Sequence, residues 1–128
     1  MPNFFHRDDL STEEAETMFR TCSTMFGPRR KLLEAHFSMP GYTATTTQLA
    51  QAVGYKSFHA ANLHYGLFAK SLVEEMGWQH RFITSGGRTY HLWAFIDFSK
   101  KKGEMWQLTL RGEAVEALKR MGWENAAR

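Results

Sequence analysis

The sequence has very little cysteine and no long apolar run, and both absences exclude classes of protein. Cys22 is the single cysteine in 128 residues, so neither an internal disulfide nor a cysteine-rich zinc site can form. No stretch of about 18 apolar residues is present, as a membrane-spanning helix would need. The first residues also lack the apolar run of a signal peptide. We therefore expect a cytoplasmic protein without a membrane partner.

Acidic residues are scarce in the middle of the chain. Residues 17–73 contain six basic residues and one acid, Glu34, whereas residues 1–16 contain five acids and one arginine. The net charge is only +3, so the basic excess is local rather than general. A basic segment favours an anionic partner, although a solvated surface would show the same pattern.

The chain has the length and the apolar content of one domain. Hydrophobic residues make up 43% of it, and ten Phe, four Trp and four Tyr supply large apolar rings, most of which we expect in the core. We predict a single domain over 1–128, consisting of an acidic N-terminal helix in 1–27, a core in 28–109 and a C-terminal helix in 110–128.

Capping and breaker residues predict four helices in the first part of the chain. Ser11 and Glu14 match a capping box, and the apolar face that follows would extend to Phe26. Gly54 would end a short third helix, and Ser57 stands where a long fourth helix would begin. The predicted helices cover about 11–26, 28–38, 48–53 and 57–76.

The pattern changes to one of strands after residue 80. Residues 90–98 are rich in aromatic and β-branched residues and predict a strand, followed by a turn at 100–103 and a returning strand at 105–108. A weaker strand is predicted at 81–84 and a last helix at 110–121. Met-Gly-Trp occurs at 76–78 and at 121–123, which we interpret as two glycine helix caps rather than a repeat. This order predicts an α+β fold, a winged helix-turn-helix with three to four helices, a two- or three-stranded hairpin and a C-terminal helix.

The spacing within 46–66 is typical of a helix-turn-helix. Ala50 is the small residue where two helices would cross, and Gly54 is the turn four residues later. Three apolar residues would lock the second helix onto the first: Leu49, Val53 and Leu63. The second helix of this motif enters the major groove with its leading residues near the base edges. The candidate base-contacting residues are Lys56, Ser57, Phe58, His59 and Asn62.

Each candidate in that helix also has a structural interpretation. The amide of Asn62 can bond adenine through two hydrogen bonds, or it can complete a cap or a core hydrogen bond. Phe58 can press on a thymine methyl group, or it can belong to the core. His59 is either a groove contact or an ordinary exposed residue.

Two basic clusters extend the candidate surface. Lys100, Lys101 and Lys102 would form the tip of the wing and contact phosphates, which supply affinity without sequence information. The alternative is that they only keep a hairpin soluble. A second cluster at the start of the second helix would be a further backbone contact: Arg29, Arg30 and Lys31.

Catalytic and metal-binding patterns are not evident. His59 and His64 lie five residues apart, about 140° around a helix, which prevents them from sharing an ion. No phosphate-cradling glycine loop and no nucleophile with an adjacent base is present. We expect no enzyme activity, no metal and no cofactor.

Two segments resemble a bacterial domain that precedes HNH endonuclease domains in restriction-type proteins. The first is 46–72, with Asn-Leu-His-Tyr-Gly at 62–66, and the second is 106–123, with Leu-Arg-Gly-Glu-Ala at 110–114. The resemblance spans roughly 26–123 and implies a DNA-associated role in restriction or phage–host conflict. Residues 1–128 contain no HNH segment, so we do not expect the resemblance to carry catalysis over to this chain.

Two functions remain open at this point. The first is a double-stranded DNA-binding module, either a regulator or a DNA-reading subunit. The alternative is a protein-interaction module, such as a phage or mobile-element inhibitor of a defence nuclease of the anti-restriction or anti-CRISPR type. A homodimer through the acidic helix at 11–26 is a further expectation.

Overall fold

A computed structural model describes residues 6–124. The first five residues of the predicted N-terminal region 1–27 and the last four of the predicted C-terminal region 110–128 lie outside the described residues. The described chain forms an α+β fold, as predicted. Its helices are α1 (Thr12–Thr21), α2 (Arg30–Phe37), α3 (Thr46–Val53), α4 (Phe58–Met76) and α5 (Gly112–Arg120). Its strands are β1 (His6–Arg7), β2 (Thr43–Ala44), β3 (Phe82–Ile83), β4 (Ile96–Ser99) and β5 (Gln107–Leu110).

The larger of the two sheets has three antiparallel strands in the order β2-β5-β4. Phe98 of β4 pairs with Leu108 of β5, and Ala44 of β2 pairs with Leu108 from the other side. The hydroxyl groups of Thr43 and Thr109 are 2.8 Å apart across the outer pair. The hairpin is thereby held against the segment that joins α2 to α3.

The predicted capping residues are confirmed. Ser11 and Glu14 form both hydrogen bonds of a capping box at α1. Thr45, the first of three consecutive threonines, forms the same box with Gln48, so that α3 begins at Thr46 and not at the predicted residue 48. Gly54 ends α3 with φ 83°, in the left-handed region that glycine tolerates best.

Both Met-Gly-Trp motifs are helix caps. Gly77 and Gly122 have positive φ, and the following tryptophans fold back onto their helices. The backbone N–H of Trp78 donates to Val73 at 3.0 Å, and that of Trp123 donates to Leu118 at 3.0 Å. This is the capping geometry expected for glycine beyond a helix end.

The strand predicted at 90–98 is wrong for its first half. His91–Ala94 form a 3₁₀ turn, and only Ile96–Ser99 is a strand. The consecutive residues Ala94, Phe95 and Ile96 are all buried. An alternating strand would place neighbours on opposite faces, whereas this segment turns within the core and buries them together.

Three other sequence predictions need correction. β3 pairs with β1 in a separate two-stranded sheet and not with the hairpin. The first helix ends at Thr21 and is followed by a 3₁₀ turn, Ser23–Phe26, so that Phe26 leaves the apolar face and is 79% exposed. Met105 and Trp106 precede β5 and are exposed rather than part of a strand.

Leu63 does not lock α3 onto α4, because it is 59% exposed. The buried face of α4 instead includes Ala61, Tyr65, Phe68 and Leu72. Leu63 is two residues from both Ala61 and Tyr65, about 200° away around the helix, and therefore points to the opposite side.

A buried histidine joins three elements beneath the exposed face of α4. His36 of α2 lies 2.7 Å from the hydroxyl of Tyr65 in α4 and 2.8 Å from the carbonyl of Leu108 in β5. Since a carbonyl only accepts, Nε2 carries the hydrogen and Nδ1 accepts from the tyrosine hydroxyl. Burial lowers the pKa of His36 to about 4, which keeps the ring neutral.

The seam between α1 and α4 contains Cys22. Its side chain is 2% exposed, and Sγ lies 3.6 Å from the carbonyl oxygen of Leu72. Burial raises the pKa of this thiol to about 11. The cysteine is therefore a packed core residue.

Arginine side chains fasten the N-terminal segment to the rest of the domain. Arg81 is 8% exposed and lies 2.7 Å from a carboxylate oxygen of Glu14 and 2.9 Å from one of Asp8. Arg7 contacts Asp97 at 2.7 Å, and Arg111 contacts the same carboxylate at 2.9 Å. None of the helices in 6–124 is long and apolar enough to cross a bilayer.

Candidate nucleic-acid interface

The leading turn of α4 is exposed, and so are all five residues predicted to contact bases there. Ser57 is the N-cap: its side-chain oxygen accepts from the N–H of Ala60 at 3.3 Å. Phe58 is 42% exposed, with its ring 4.0 Å from that of His59, so it is not a core residue. Asn62 is exposed and neither caps a helix nor packs in the core. Its amide is available to a ligand.

Two residues of the cluster 29–31 lie along one flank of α4. Arg29 donates through Nε to Nδ1 of His64 at 3.2 Å. The ring of His64 stacks on Tyr55 at 5.1 Å, and the ammonium group of Lys31 lies 5.0 Å above the same tyrosine ring. These contacts place Arg29 and Lys31 beside the turn that joins α3 to α4.

Arg30 does not belong with them. Its guanidinium carbon lies 4.8 Å from the ring centre of Trp123, and Nε is 3.5 Å from the carboxylate of Glu34. Arg29 and Lys31 instead contact His64 and Tyr55 beside α4. Because its contacts differ from those of Arg29 and Lys31, Arg30 is set apart from the other two residues of the predicted cluster.

The loop between β4 and β5 carries the predicted lysine tip. Lys100, Lys101 and Lys102 are all exposed, and the turn closes through a hydrogen bond from Glu104 N to Lys101 O at 3.0 Å. The loop is tied to α3, because the hydroxyl of Thr47 donates to the sulfur of Met105 at 3.7 Å. The lysines are thus held beside the two helices of the predicted motif.

The exposed face of α4 lies between these two basic flanks. Asn62 and His64 are two residues apart and project about 200° from each other. Asn62 faces a cleft shared with Lys100 and the loop, whereas His64 faces Arg29. A rod-like ligand lying along α4 would have cations on both sides.

Acidic side chains are distributed very differently from these cations. Residues 35–73, which include all of α3 and most of α4, contain no Asp or Glu. Among the seven cations predicted for the site, only Arg30 has an acidic partner within residues 6–124. The arginines with such partners are Arg7, Arg20, Arg30, Arg81, Arg111 and Arg120.

A cleft of about 910 Å³ separates α4 from the loop. Six large apolar side chains in 6–124 are exposed, and four of them line this cleft: Phe58 (42%), Tyr90 (36%), Met105 (46%) and Trp106 (54%). Sequence reasoning assigned these aromatic residues mainly to the core or to strands. The available signal was the position of Met105 and Trp106, which directly follow a lysine-rich turn.

The described residues show no grouping of three or more His, Cys, Asp or Glu side chains suited to a metal ion. Protein-family models, curated proteins and solved structures give no match to this chain. The resemblance to the domain that precedes HNH endonucleases accordingly stays a prediction from the sequence.

Proposed function

We propose that this protein is a non-enzymatic module that binds double-stranded DNA, acting as a regulator or a DNA-reading subunit. In this proposal α3 and α4 are the helix-turn-helix and the β4–β5 loop is the wing. The observed α+β fold is compatible with that assignment, since the three-stranded sheet places β2, which precedes α3, beside the hairpin.

The observation that carries the proposal is the set of unpaired cations around α4. Arg29 and Lys31 lie on one flank, and Lys100 lies across the cleft on the other. Cations without acidic partners contribute their full charge to the surrounding field, and no carboxylate in 35–73 opposes them. A phosphate backbone is the partner that such a surface fits best.

The roles of the residues follow from their positions. The turn at Lys56 and the exposed start of α4 would enter the major groove, where Asn62 can read a base edge. Lys101 and its neighbours at the loop tip would contact phosphates and set the register. The restriction or phage-conflict context implied by the resemblance adds a biological setting to this proposal.

A salt titration tests the proposal. We expect a fluorescent duplex to bind at low salt and the logarithm of the affinity to fall linearly with the logarithm of salt concentration, by about 0.9 for each phosphate neutralised. Lys101→Glu should weaken every duplex alike and make that slope shallower. Lys119→Glu on α5, an exposed residue outside the cleft, is the charge-matched control and should leave the slope unchanged.

The absence of binding to any duplex at low salt and micromolar protein would contradict DNA binding. An equal change of slope in both variants would contradict the interface at α4 and the loop, since it would show a general charge effect.

One feature favours the alternative, a protein-interaction module such as an inhibitor of a defence nuclease. Four exposed apolar side chains gather in the cleft beside α4, and such clusters are typical of interfaces. A protein partner held through these side chains would bind with an affinity that depends little on salt concentration. Such binding, together with no binding to any duplex, would support this function.

A further inference from the structure

The cleft between α4 and the β4–β5 loop has two unlike walls. Phe58 and Asn62 of α4 form one wall, and the segment 103–106 of the loop forms the other. Tyr90 and Phe98 contribute aromatic rings between them. Its volume of about 910 Å³ falls in the range of small-molecule sites.

The aromatic side chains of the cleft pack against one another edge to face. Tyr90 lies 5.4 Å from Trp93 with an interplanar angle of 86°, and Phe98 lies 6.4 Å from Trp106 at 80°. Tyr90 joins the two pairs through a contact with Phe98 at 5.5 Å. In edge-to-face packing, one ring of each pair presents only its edge to the other. Trp106 remains 54% exposed, so that part of its ring is accessible to a planar ligand.

Polar groups stand at the margin of these rings. Asn62 offers an amide, which can donate and accept at the same time. Lys100 lies at the rim, with its ammonium group 5.8 Å from the ring centre of Trp106. Glu104 is the one acid among the described lining residues, and Lys101 and Lys102 follow Lys100 directly. A ligand with a planar ring and a negative charge matches this lining.

The cleft is also placed where a bound duplex would pass. A helix in the major groove and a loop on the adjacent backbone straddle one strand of the duplex. The space between α4 and the loop would therefore lie beneath that strand. A nucleotide that left the base stack on this side would turn toward the rings of the cleft.

We infer that the cleft binds one unstacked nucleotide. The base stacks on Trp106 and its aromatic neighbours, Asn62 bonds its edge, and Lys100 pairs with its phosphate. Stacking on aromatic side chains tolerates every base, because each has a π-face. This inference rests on the proposed function for the source of the nucleotide, since it takes the nucleotide from a bound DNA strand.

Two duplexes that differ in one bulged nucleotide test the inference. We expect the bulged duplex to bind more tightly than the fully paired one. Trp106→Ala should weaken binding of the bulged duplex roughly 5- to 150-fold, the range for loss of one stacked base. The same change should leave affinity for the paired duplex within about twofold, because the remaining phosphate contacts are unaltered.

The variants are matched to separate stacking from folding. Trp106→Phe keeps an aromatic face and should retain most of the preference for the bulge. Phe26→Ala removes another exposed ring, at a position outside the cleft, and should change neither affinity. Equal binding of both duplexes, or equal weakening of both by Trp106→Ala, would overturn the inference and leave duplex binding intact.

A free nucleotide serves as the second arm. A deoxynucleoside monophosphate is titrated while the tryptophan fluorescence of the wild type and of Trp106→Phe is compared. Quenching that depends on Trp106, together with no duplex binding, would support the nucleotide site while refuting the proposed function. If neither the monophosphate nor either duplex binds, both proposals fail.

Discussion

Two sides of this molecule treat charge in opposite ways. On the side of α1 and α5, arginines are neutralised within the chain: Arg81 by Asp8 and Glu14, and Arg120 by Glu13. On the side of α4 and the loop, lysines have no acidic partner among residues 6–124. The net charge of +3 therefore has two unlike parts. We call the side of α1 and α5, where arginines contact carboxylates, the paired side, and the side of α4 and the loop the open side.

Every ion pair described within residues 6–124 is made by an arginine, although Arg29 is an arginine without an acidic partner. The planar guanidinium of arginine can hold carboxylates with two hydrogen bonds at once and suits fixed internal pairs. Lysine is a mobile point charge that stays hydrated until an anion arrives. The acidic face of α1 is also largely occupied by the chain's own arginines, which removes the charge argument for its use as a homodimer face.

The largest expected effect comes from removing an ion pair on the paired side. Arg81→Ala should lower the free energy of unfolding by about 3 kcal/mol, because the change removes a largely buried guanidinium that bonds a carboxylate of Glu14 and the backbone carbonyl of Asp9. Arg120→Ala is the control and should shift stability far less, because water screens its exposed pairs. Urea unfolding midpoints measure both, and equal losses would show that burial of Arg81 does not matter.

The second effect concerns the buried His36, which lies beneath α4 on the open side. The unfolded chain protonates His36 near the ordinary histidine pKa of about 6.5, while burial holds the folded pKa at about 4. The contribution is therefore complete above about pH 6.5 and is lost as pH falls toward 4. We expect about 2 kcal/mol to disappear between pH 7 and pH 5. His36→Gln should be less stable at pH 7 but should show a flatter profile, whereas parallel profiles would exclude His36 as the cause.

The third effect tests whether the open side recognises the base sequence of a duplex. Asn62→Ala should remove about 1–2 kcal/mol of discrimination at one base pair, because the amide supplies direct readout. Competition among duplexes substituted at single positions measures this loss. Thr17→Ala on α1, an exposed residue outside the cleft, is the control and should preserve sequence preference. A uniform loss of affinity for every duplex would assign Asn62 to backbone contact instead.

The smallest expected effect concerns an exposed ion pair on the paired side. Glu13 is 74% exposed and pairs with Arg120 at 3.1 Å. Glu13→Gln should change stability by less than about 0.5 kcal/mol, since water screens such pairs. Thermal unfolding checks this value, and a loss comparable to that of Arg81→Ala would mean that exposure does not separate the two pairs.

The parts of the fold that depend on local chemistry could be predicted from the sequence. Helix ends are fixed by hydrogen bonds within a few residues, and the observed helices begin or end at the capping residues: Ser11 with Glu14, Thr45, Gly54 and Gly77. Strand pairing could not be predicted this way. The two-residue strand β2 gains its hydrogen bonds from β5, about 65 residues later along the chain.

The aromatic segment 90–98 shows a second limit. Periodicity distinguishes a strand that has one buried face, but it does not describe a chain that turns inside the core. Leu92, Ala94, Phe95 and Ile96 are all buried there, which a period of two does not produce.

The candidate site also has one part that local sequence predicts and another that depends on the tertiary fold. The exposure of Lys56, His59 and Asn62 follows from helix periodicity, and the lysine turn was legible as a hairpin tip. The aromatic cleft was not, because it needs α4, the 3₁₀ turn at His91–Ala94 and the loop to meet in space. The contact of Arg30 with Trp123 could not be predicted, because the two residues are far apart in the sequence. Its pair with Glu34 is an i,i+4 contact on α2, which the sequence pattern does contain.

The packing of Cys22 against Leu72 makes this thiol a reporter of opening in its part of the core. We expect a thiol with a pKa of about 11 and a 2% exposed side chain to react with alkylating reagents only when the packing around it opens. Because the chain has a single cysteine, labelling reports on this one position. A ligand that binds only the closed form slows the labelling rate in proportion to its occupancy, so binding can be followed without a dye on either partner.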